Sequence, residues 1–240
     1  MKTVGYILLC ILALIAAYFL ICIFSALLVN TKKNYTKDSA FYRFLLDSAT
    51  AVGMRLARVH IHVSGIDKVP DNSRFLVVGN HISKFDPIIT WLVLKGRHLA
   101  FISKPENFNV PIFGRIIRKC GFMPIDREDA RSAIETVNSA AEKLRSDEFS
   151  IGVYPEGTRS MSGELLPFHD GIFMIAKKAN VPTVVLAVRG TEKIKDNYPL
   201  RRSDVYLDFV DVIDADTSKG MRTSQISARV YDDLCAALGK

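Results

Sequence analysis

The chain predicts an α/β fold, with a largely parallel central sheet flanked by helices and an N-terminal membrane helix ahead of it. Two patterns carry this expectation. Across residues 75–238, short apolar β-branched runs alternate with segments of helical period, the alternation that builds a parallel sheet with helices on its faces. Before that region, Thr3 to Val29 holds no charged side chain, its only ionisable groups being Tyr6, Cys10, Tyr18 and Cys22. A helix of about 23 residues spans the roughly 30 Å hydrocarbon core of a bilayer. A cleaved signal sequence is the competing reading, because Ala13 to Ala17 offers small residues, but its apolar region stops after about 7–15 residues and this one continues.

The elements follow in order. Residues 1–31 are expected to form a membrane anchor. Residues 32–60 are expected to form a juxtamembrane segment in which Phe41, Phe44, Leu45, Val52 and Leu56 interleave with Arg43, Arg55 and Arg58. That pattern suits an amphipathic helix on a bilayer surface and equally a half-buried helix of the body. Residues 61–240 form the main domain, with strands expected at 75–79, 98–102, 121–125, 150–154, 183–188 and 205–213. Helices are expected at 87–95, 111–119, 128–145, 169–179 and 223–238. In the helix at 128–145, Ala133, Ile134, Val137, Ala141 and Leu144 recur at three- and four-residue spacing, with Glu135, Glu142, Lys143 and Arg145 outside.

Composition narrows the function classes. Of 240 residues, 32 are Lys or Arg and 25 Asp or Glu, a net charge of +7. Only Lys2 lies in the first 31, so the body keeps +6 and its basicity is its own. Anionic membrane and phosphorylated substrate both suit that charge. Nucleic acid does not suit the chain, which has no finger, RNA-binding signature or unbroken basic run. Lys32, Lys33, Lys37 and Arg43 behind the anchor, against Lys2 before it, favour a cytosolic body. The four cysteines show neither Cys-x-x-Cys spacing nor a disulfide framework. His60, His62, His98 and His169 lack metal-ligand spacing, although His60 and His62 would share one face of a strand. No metal is expected.

The chemistry concentrates where strands end. Gly79-Asn80-His81-Ile82-Ser83-Lys84-Phe85-Asp86-Pro87 follows the apolar run Phe75-Leu76-Val77-Val78, and Pro87 suits the first turn of a helix, with Asp86 at its N-cap. On a continuous helix two residues five apart point about 140° away from each other; a strand-loop-helix corner instead lets His81 and Asp86 converge. Gly121 to Arg127 ends a second strand and delivers a cation, Arg127, where a helix begins. Tyr154-Pro155-Glu156-Gly157-Thr158-Arg159-Ser160 ends a third and delivers Arg159. A guanidinium fork binds phosphate bidentately, and ligands of open α/β sheets lie beyond the carboxyl ends of the strands. Either arginine alone reads as well as a surface ion pair.

These residues resemble the glycerolipid acyltransferase family that includes 1-acylglycerol-3-phosphate O-acyltransferase. Four blocks stand in the family's order. Asn-His-x-Ser-x-x-Asp is Asn80 to Asp86, and Gly-x-x-x-Ile-Asp-Arg is Gly121 to Arg127. Phe-Pro-Glu-Gly-Thr-Arg-Ser is met by Pro155 to Ser160, with Tyr154 in the aromatic place. An apolar strand opened by Val-Pro is Val181 to Val185, so the likeness runs from about residue 60 to 190.

The resemblance implies a glycerol-3-phosphate acyltransferase-like fold and a direct transfer in a ternary complex. His81 would deprotonate the acceptor hydroxyl, and Asp86 would fix the imidazole and balance its charge. Arg127 and Arg159 would hold the acceptor phosphate. Glu156, Gly157 and Thr158 would line the same pocket with Lys104, while Asn80 and Ser83 support the loop. No cofactor is implied, since the donor, acyl-CoA or acyl carrier protein thioester, is a co-substrate. The implied product is phosphatidate, from transfer to the sn-2 hydroxyl of 1-acyl-sn-glycerol 3-phosphate at a cytosolic membrane face. Other lysophospholipids or glycerol 3-phosphate are alternative acceptors, and a silent lipid-binding member is the non-catalytic alternative. Ser83 as an acyl-enzyme nucleophile is the mechanistic rival, and a serine hydrolase lacks its Gly-x-Ser-x-Gly elbow here.

Overall fold

The computed structural model describes residues 2–126 and 129–240. An apolar helix, α1 (Lys2–Leu27), precedes α2 (Ala40–Leu56) and the first strand, β1 (Val59–Ser64). The chain then runs β2 (Leu76–Gly79), α3 (Asp86–Val93), β3 (Leu99–Ser103), α4 (Phe113–Lys119), β4 (Met123–Pro124), α5 (Ala130–Arg145) and β5 (Ser150–Val153). It closes with α6 (Met174–Ala179), β6 (Thr183–Arg189), α7 (Ile194–Asn197), β7 (Ser203–Ile213), α8 (Ala215–Lys219) and α9 (Thr223–Leu238).

The strands form one sheet in the order β1-β7-β6-β2-β5-β3-β4. All described pairings are parallel except β6 with β7. Side chains of a strand alternate between faces, and this assigns the two layers. Phe75 and Val77 join Trp91, Ile89, Ile117 and Leu46 on the side of α2, α3 and α4. Leu76 and Val78 join Leu144, Ile175, Ile226 and Val230 on the side of α5, α6 and α9. Because β3, β5, β2 and β6 are adjacent and parallel, their carboxyl ends meet at a single edge.

Differences from the sequence expectation have local causes. The strand expected at 121–125 is only Met123–Pro124, since Pro124 cannot donate to a ladder and β4 lies at the sheet edge. Gly121, at φ 82°, turns the chain into it, where a Cβ would fall 2.4 Å from the Phe149 ring. The helix expected at 111–119 begins at Phe113, after Pro111 and an Ile112 at φ 62°. That expected at 169–179 opens with a 3₁₀ turn, Asp170–Phe173. β1 has no apolar run to announce it, its sequence Val-His-Ile-His-Val-Ser being exposed at both histidines. In α5, Ile134 is 61% exposed rather than inward. Lys143, expected outside, is buried and donates from Nζ to the carbonyls of Tyr35 and Gly121, each at 2.9 Å. Burial lowers its amine to about 8.

α1 is joined to the body along its C-terminal half. Tyr18 Oη donates to Leu45 O at 3.1 Å, Tyr42 Oη donates to Ser25 O at 2.8 Å, and Arg115 donates to Ala26 O at 3.3 Å. Most of α1 is otherwise exposed and apolar, as are Phe41, Phe44, Val52 and Leu56 on α2. α2 is therefore two-faced, for Tyr42, Leu45 and Leu46 point into the core. A buried ion pair lies at its first turn. Arg43 Nε donates to Asp38 Oδ2 at 2.7 Å with side chains 12% and 8% exposed, and His98 Nδ1 lies 2.7 Å from the same oxygen. The guanidinium stacks 4.6 Å from the Trp91 centroid, and Trp91 Nε1 donates to Asp47 at 2.6 Å.

Burial would raise the Asp38 carboxyl, but Arg43 and His98 outweigh it and hold it below its ordinary value. Its stabilising contribution is therefore present above the unfolded carboxyl's titration, about pH 4, and is lost as pH falls through the depressed value. Asp38→Asn is expected to destabilise the fold by about 3 kcal/mol, because it strands a buried arginine. Asp216→Asn, which breaks the exposed pair with Lys219, should leave the midpoint unchanged. Chemical denaturation of both variants at neutral pH and near pH 3 checks this; the gap between Asp38→Asn and the parent should narrow in acid.

Candidate active site

The site is assembled at the shared carboxyl edge of β2, β5, β3 and β6. Val78 on β2 is level with Val153 on β5 and Val185 on β6, so the segments leaving these strands emerge side by side. Asn80, the first residue beyond β2, is buried and uses its side-chain amide as a strand would. Its Nδ2 donates to Val188 O at 2.9 Å and its Oδ1 accepts from Val188 N at 2.7 Å. This extends the pairing of β2 with β6 by one residue and fixes where the loop departs.

His81 follows directly. Its Nδ1 lies 2.7 Å from Asp86 Oδ2, with side-chain exposures of 18% and 0%. Asp86 is not the N-cap that its sequence position suggested; Phe85 holds that place and Asp86 is the first helical residue of α3. The carboxylate turns back instead of forward. Its Oδ2 also accepts the backbone N–H groups of Ile82 and Ser83, each at 2.7 Å, and Oδ1 accepts the hydroxyl of Thr191. A carboxylate removed from water requires such donors, and here they hold it against the imidazole. An acceptor at Nδ1 favours the tautomer of the neutral imidazole that bears its proton there, which leaves Nε2 as the accepting nitrogen.

The backbone of His81 is held by the loop beyond β5. Glu156 Oε1 accepts the His81 N–H at 2.6 Å, and the Ser160 N–H donates to His81 O at 2.8 Å. Glu156 Oε2 accepts the Leu166 N–H at 2.9 Å. Burial raises the Glu156 carboxyl, and the two amide donors work against that rise. Gly157, at φ 73°, makes the turn that carries the chain from Glu156 to Arg159. Tyr154 places its ring 4.4 Å from the His81 ring at an interplanar angle of 16°. Phe101 stacks beyond it at 6.0 Å and 3°. Desolvation raises the Tyr154 phenol well above its ordinary value, so it stays neutral.

His81 opens onto a cavity of about 740 Å³, within the range of about 300–1,000 Å³ common for ligand pockets. Its deeper walls are apolar, with Leu46, Trp91, Phe101, Ile117, Phe122 and Val137 among them. Its polar wall contains Lys84, Lys104, Gly157, Thr158 and Arg159. The structure thus brings Lys104, Gly157, Thr158 and Arg159 to the same cavity as His81. Glu156 does not line it, both carboxylate oxygens being committed to backbone N–H groups. This corrects the placement expected from sequence. Arg127 lies outside the described residues. Ser83 is buried, and its hydroxyl donates to Thr191 O at 3.1 Å while accepting the Phe85 N–H at 3.2 Å. No cluster of three or more metal-ligating side chains occurs among the described residues.

Two participants escaped the sequence reading. Thr191 reaches Asp86 because Gly190, at φ 84°, turns the chain inward after β6; a Cβ there would meet Asp204 O at 2.4 Å. That Gly-Thr pair was the available signal. The platform role of Tyr154 was hidden behind a position that looked like a plain aromatic substitution.

Comparison with known proteins agrees with this architecture. A crystal structure of the 1-acyl-sn-glycerophosphate acyltransferase PlsC from Thermotoga maritima superposes with a TM-score of 0.66, covering 100% of this chain and 99% of that one at 24% identity. This likeness establishes the shared fold. A chloroplastic 1-acyl-sn-glycerol-3-phosphate acyltransferase of Brassica napus is 38% identical over 133 residues, 55% of this chain and 38% of its own length. The chain thus spans about two-fifths of that relative. A 1-acyl-sn-glycerol-3-phosphate acyltransferase of Streptococcus pneumoniae is 27% identical over 198 residues, 82% of this chain and 72% of its own. The family model described as Acyltransferase matches residues 60–189, the stretch that holds His81, Asp86, Tyr154 and Arg159, and the chain belongs to that acyltransferase family.

Proposed function

We propose that this protein is a membrane-bound acyltransferase that moves a fatty acyl group from an acyl thioester to the sn-2 hydroxyl of 1-acyl-sn-glycerol 3-phosphate, giving phosphatidate. The observation that carries this is the His81–Asp86 pair at 2.7 Å, set at the mouth of an apolar cavity with cations on its polar side. The activity printed for the relatives points the same way. The donor is acyl-CoA or an acyl carrier protein thioester, and no cofactor takes part.

In this reading the acceptor hydroxyl gives its proton to His81 Nε2 as its oxygen attacks the thioester carbonyl. Collapse of the tetrahedral intermediate breaks the carbon–sulfur bond, and the imidazolium returns its proton to the departing thiolate. Asp86 balances the positive charge on the ring and holds it in place. Lys104 and Arg159, with Arg127 from the adjoining block, receive the acceptor phosphate; Gly157 and Thr158 shape that end of the pocket. Glu156 and Asn80 act through the backbone, holding the loop that bears His81, and Ser83 is a hydrogen-bonding support for it. The apolar walls receive an acyl chain. Residues 1–31 anchor the protein in the bilayer, residues 32–60 lie at its surface and residues 61–240 form the catalytic domain, on the cytosolic side given Lys32, Lys33 and Lys37. An exposed apolar α1 and the outward Phe41 and Phe44 support that arrangement.

His81→Ala should lower kcat by about 10²- to 10⁴-fold, the usual range for a positioned base, and Asp86→Asn should be comparably severe. A thiol-release assay with acyl-CoA and 1-acyl-sn-glycerol 3-phosphate, on variants with parental unfolding curves, decides it. Near-normal turnover would remove the mechanism.

Arg159→Ala should raise KM for the acceptor about tenfold to a hundredfold, since a charge-assisted hydrogen bond contributes about 1.5–3 kcal/mol. KM for the donor should stay nearly constant. Equal effects on both substrates would place Arg159 at the donor.

Tyr154 separates ring stacking from its hydroxyl. Tyr154→Phe should keep kcat within about twofold, whereas Tyr154→Leu, which leaves the imidazole face unsupported, should lower it about tenfold or more with both KM values little changed. Steady-state kinetics of the pair tests the platform role.

A further inference from the structure

We propose that the protein has a second anion site, separate from the catalytic cavity, which takes the phosphate of an anionic membrane phospholipid at the foot of α1. This inference rests on the reading of α1 as a membrane helix.

The site is a cleft of about 320 Å³. One wall is the segment that follows α1, with Lys32 and Lys33; another is Arg118 near the end of α4; the third is the face of α5 that carries Ser132 and Ser139. Met123 and Pro124 of β4 close it from the sheet side. Phe122 lines both this cleft and the catalytic cavity, so the two are neighbours divided by one ring.

The charge in the cleft is unbalanced. Among the described residues that line the cleft, Lys32, Lys33 and Arg118 meet one carboxylate, Glu135, which already pairs with Arg131 at 3.3 Å. Lys119, whose Nζ lies 4.3 Å from the Tyr35 centroid, adds positive potential from behind. Arg118 is the informative member. Its Nε is buried and has no hydrogen-bond partner among the described residues, while its guanidinium rests 5.0 Å from the Phe108 centroid. A buried donor left unpaired is costly, and a guanidinium set over a ring is held in place by that contact. A phosphate oxygen, met by the guanidinium and the two lysines, is the partner that balances the excess charge.

Position selects the occupant. Arg115, one turn before Arg118 on α4, donates to Ala26 O in the last turn of α1, so α4 is tied to the end of the apolar helix. Lys32 and Lys33 come five and six residues after that helix ends at Leu27. With α1 in the bilayer, this is the depth of the phospholipid headgroups, where basic side chains meet anionic lipid. A lipid phosphate is therefore delivered to the cleft by the anchor itself, whereas a soluble phosphate would compete for it with the whole leaflet.

The test uses the full chain in phosphatidylcholine bilayers with a minor fraction of phosphatidylglycerol, and counts phosphatidylglycerol molecules retained by native mass spectrometry. The parent should retain phosphatidylglycerol over phosphatidylcholine. Arg118→Gln combined with Lys33→Gln should reduce retention at least fivefold while leaving thermal unfolding and bilayer insertion unchanged. Arg159→Ala, at the catalytic mouth, should retain lipid as the parent does. Equal retention by the double variant in a chain that inserts would overturn the site while sparing the membrane reading. Displacement of the lipid by excess inorganic phosphate would assign the cleft to free phosphate and overturn the headgroup proposal. A chain that fails to insert would overturn the membrane reading and this site with it.

Discussion

One carboxylate holds the active region together. Asp86 is fully buried, and its two oxygens accept from an imidazole, two backbone amides and a threonine hydroxyl. Those donors come from two places in the chain, the loop after β2 and the turn after β6, and the carboxylate itself stands at the start of α3. An unpaired carboxylate at that depth would be strongly destabilising, so all three segments must arrive together for any of them to be stable. The geometry proposed for catalysis is thus a condition of folding at this corner, rather than an ornament on a finished scaffold.

The half nearest α1 is built on a similar logic with opposite sign. Arg43 is the buried ion there, and Asp38, Leu99 O and the Trp91 ring surround it. Trp91 also walls the catalytic cavity. The position of α2 and the shape of the apolar cavity are therefore set by one packed cluster. Hydrogen bonds from Tyr18, Tyr42 and Arg115 continue that cluster to α1.

Much of this was legible beforehand, for identifiable reasons. Apolar runs such as Phe75 to Val78 and Thr183 to Val188 are strands buried on both faces, and their composition announces it. The strand-loop-helix corner suggests the His81–Asp86 pairing, although the same spacing also suits a helix-capping Asp86 beside a plain loop histidine, and the other blocks of the sequence tip the balance. β1 was missed since its exposed histidines supply no apolar signal, and its place beside β7 is a long-range choice. Lys143 was misread because a helical wheel records which residues share a face, but not that the 31–38 segment would cover that face. The family resemblance implies a place for Glu156 in the pocket. Its carboxylate turned the other way because two unpaired amides, those of His81 and Leu166, lay on that side. What sequence could not supply was the identity of hydrogen-bond partners distant in the chain, and Thr191 is the clearest case.

The two hydrogen bonds between the His81 peptide and the Glu156–Ser160 loop have a consequence for how such an enzyme diverges. Arg159 sits between the two residues that grip the histidine backbone. Under the proposed function, moving that arginine to accommodate a bulkier or differently charged headgroup would also displace the ring that takes the proton. With that function, choice of acceptor and speed of reaction are in this way inherited as one trait, and a lineage exploring new acceptors would find it easier to remodel the part of the polar wall around Lys104, which lies outside the histidine loop.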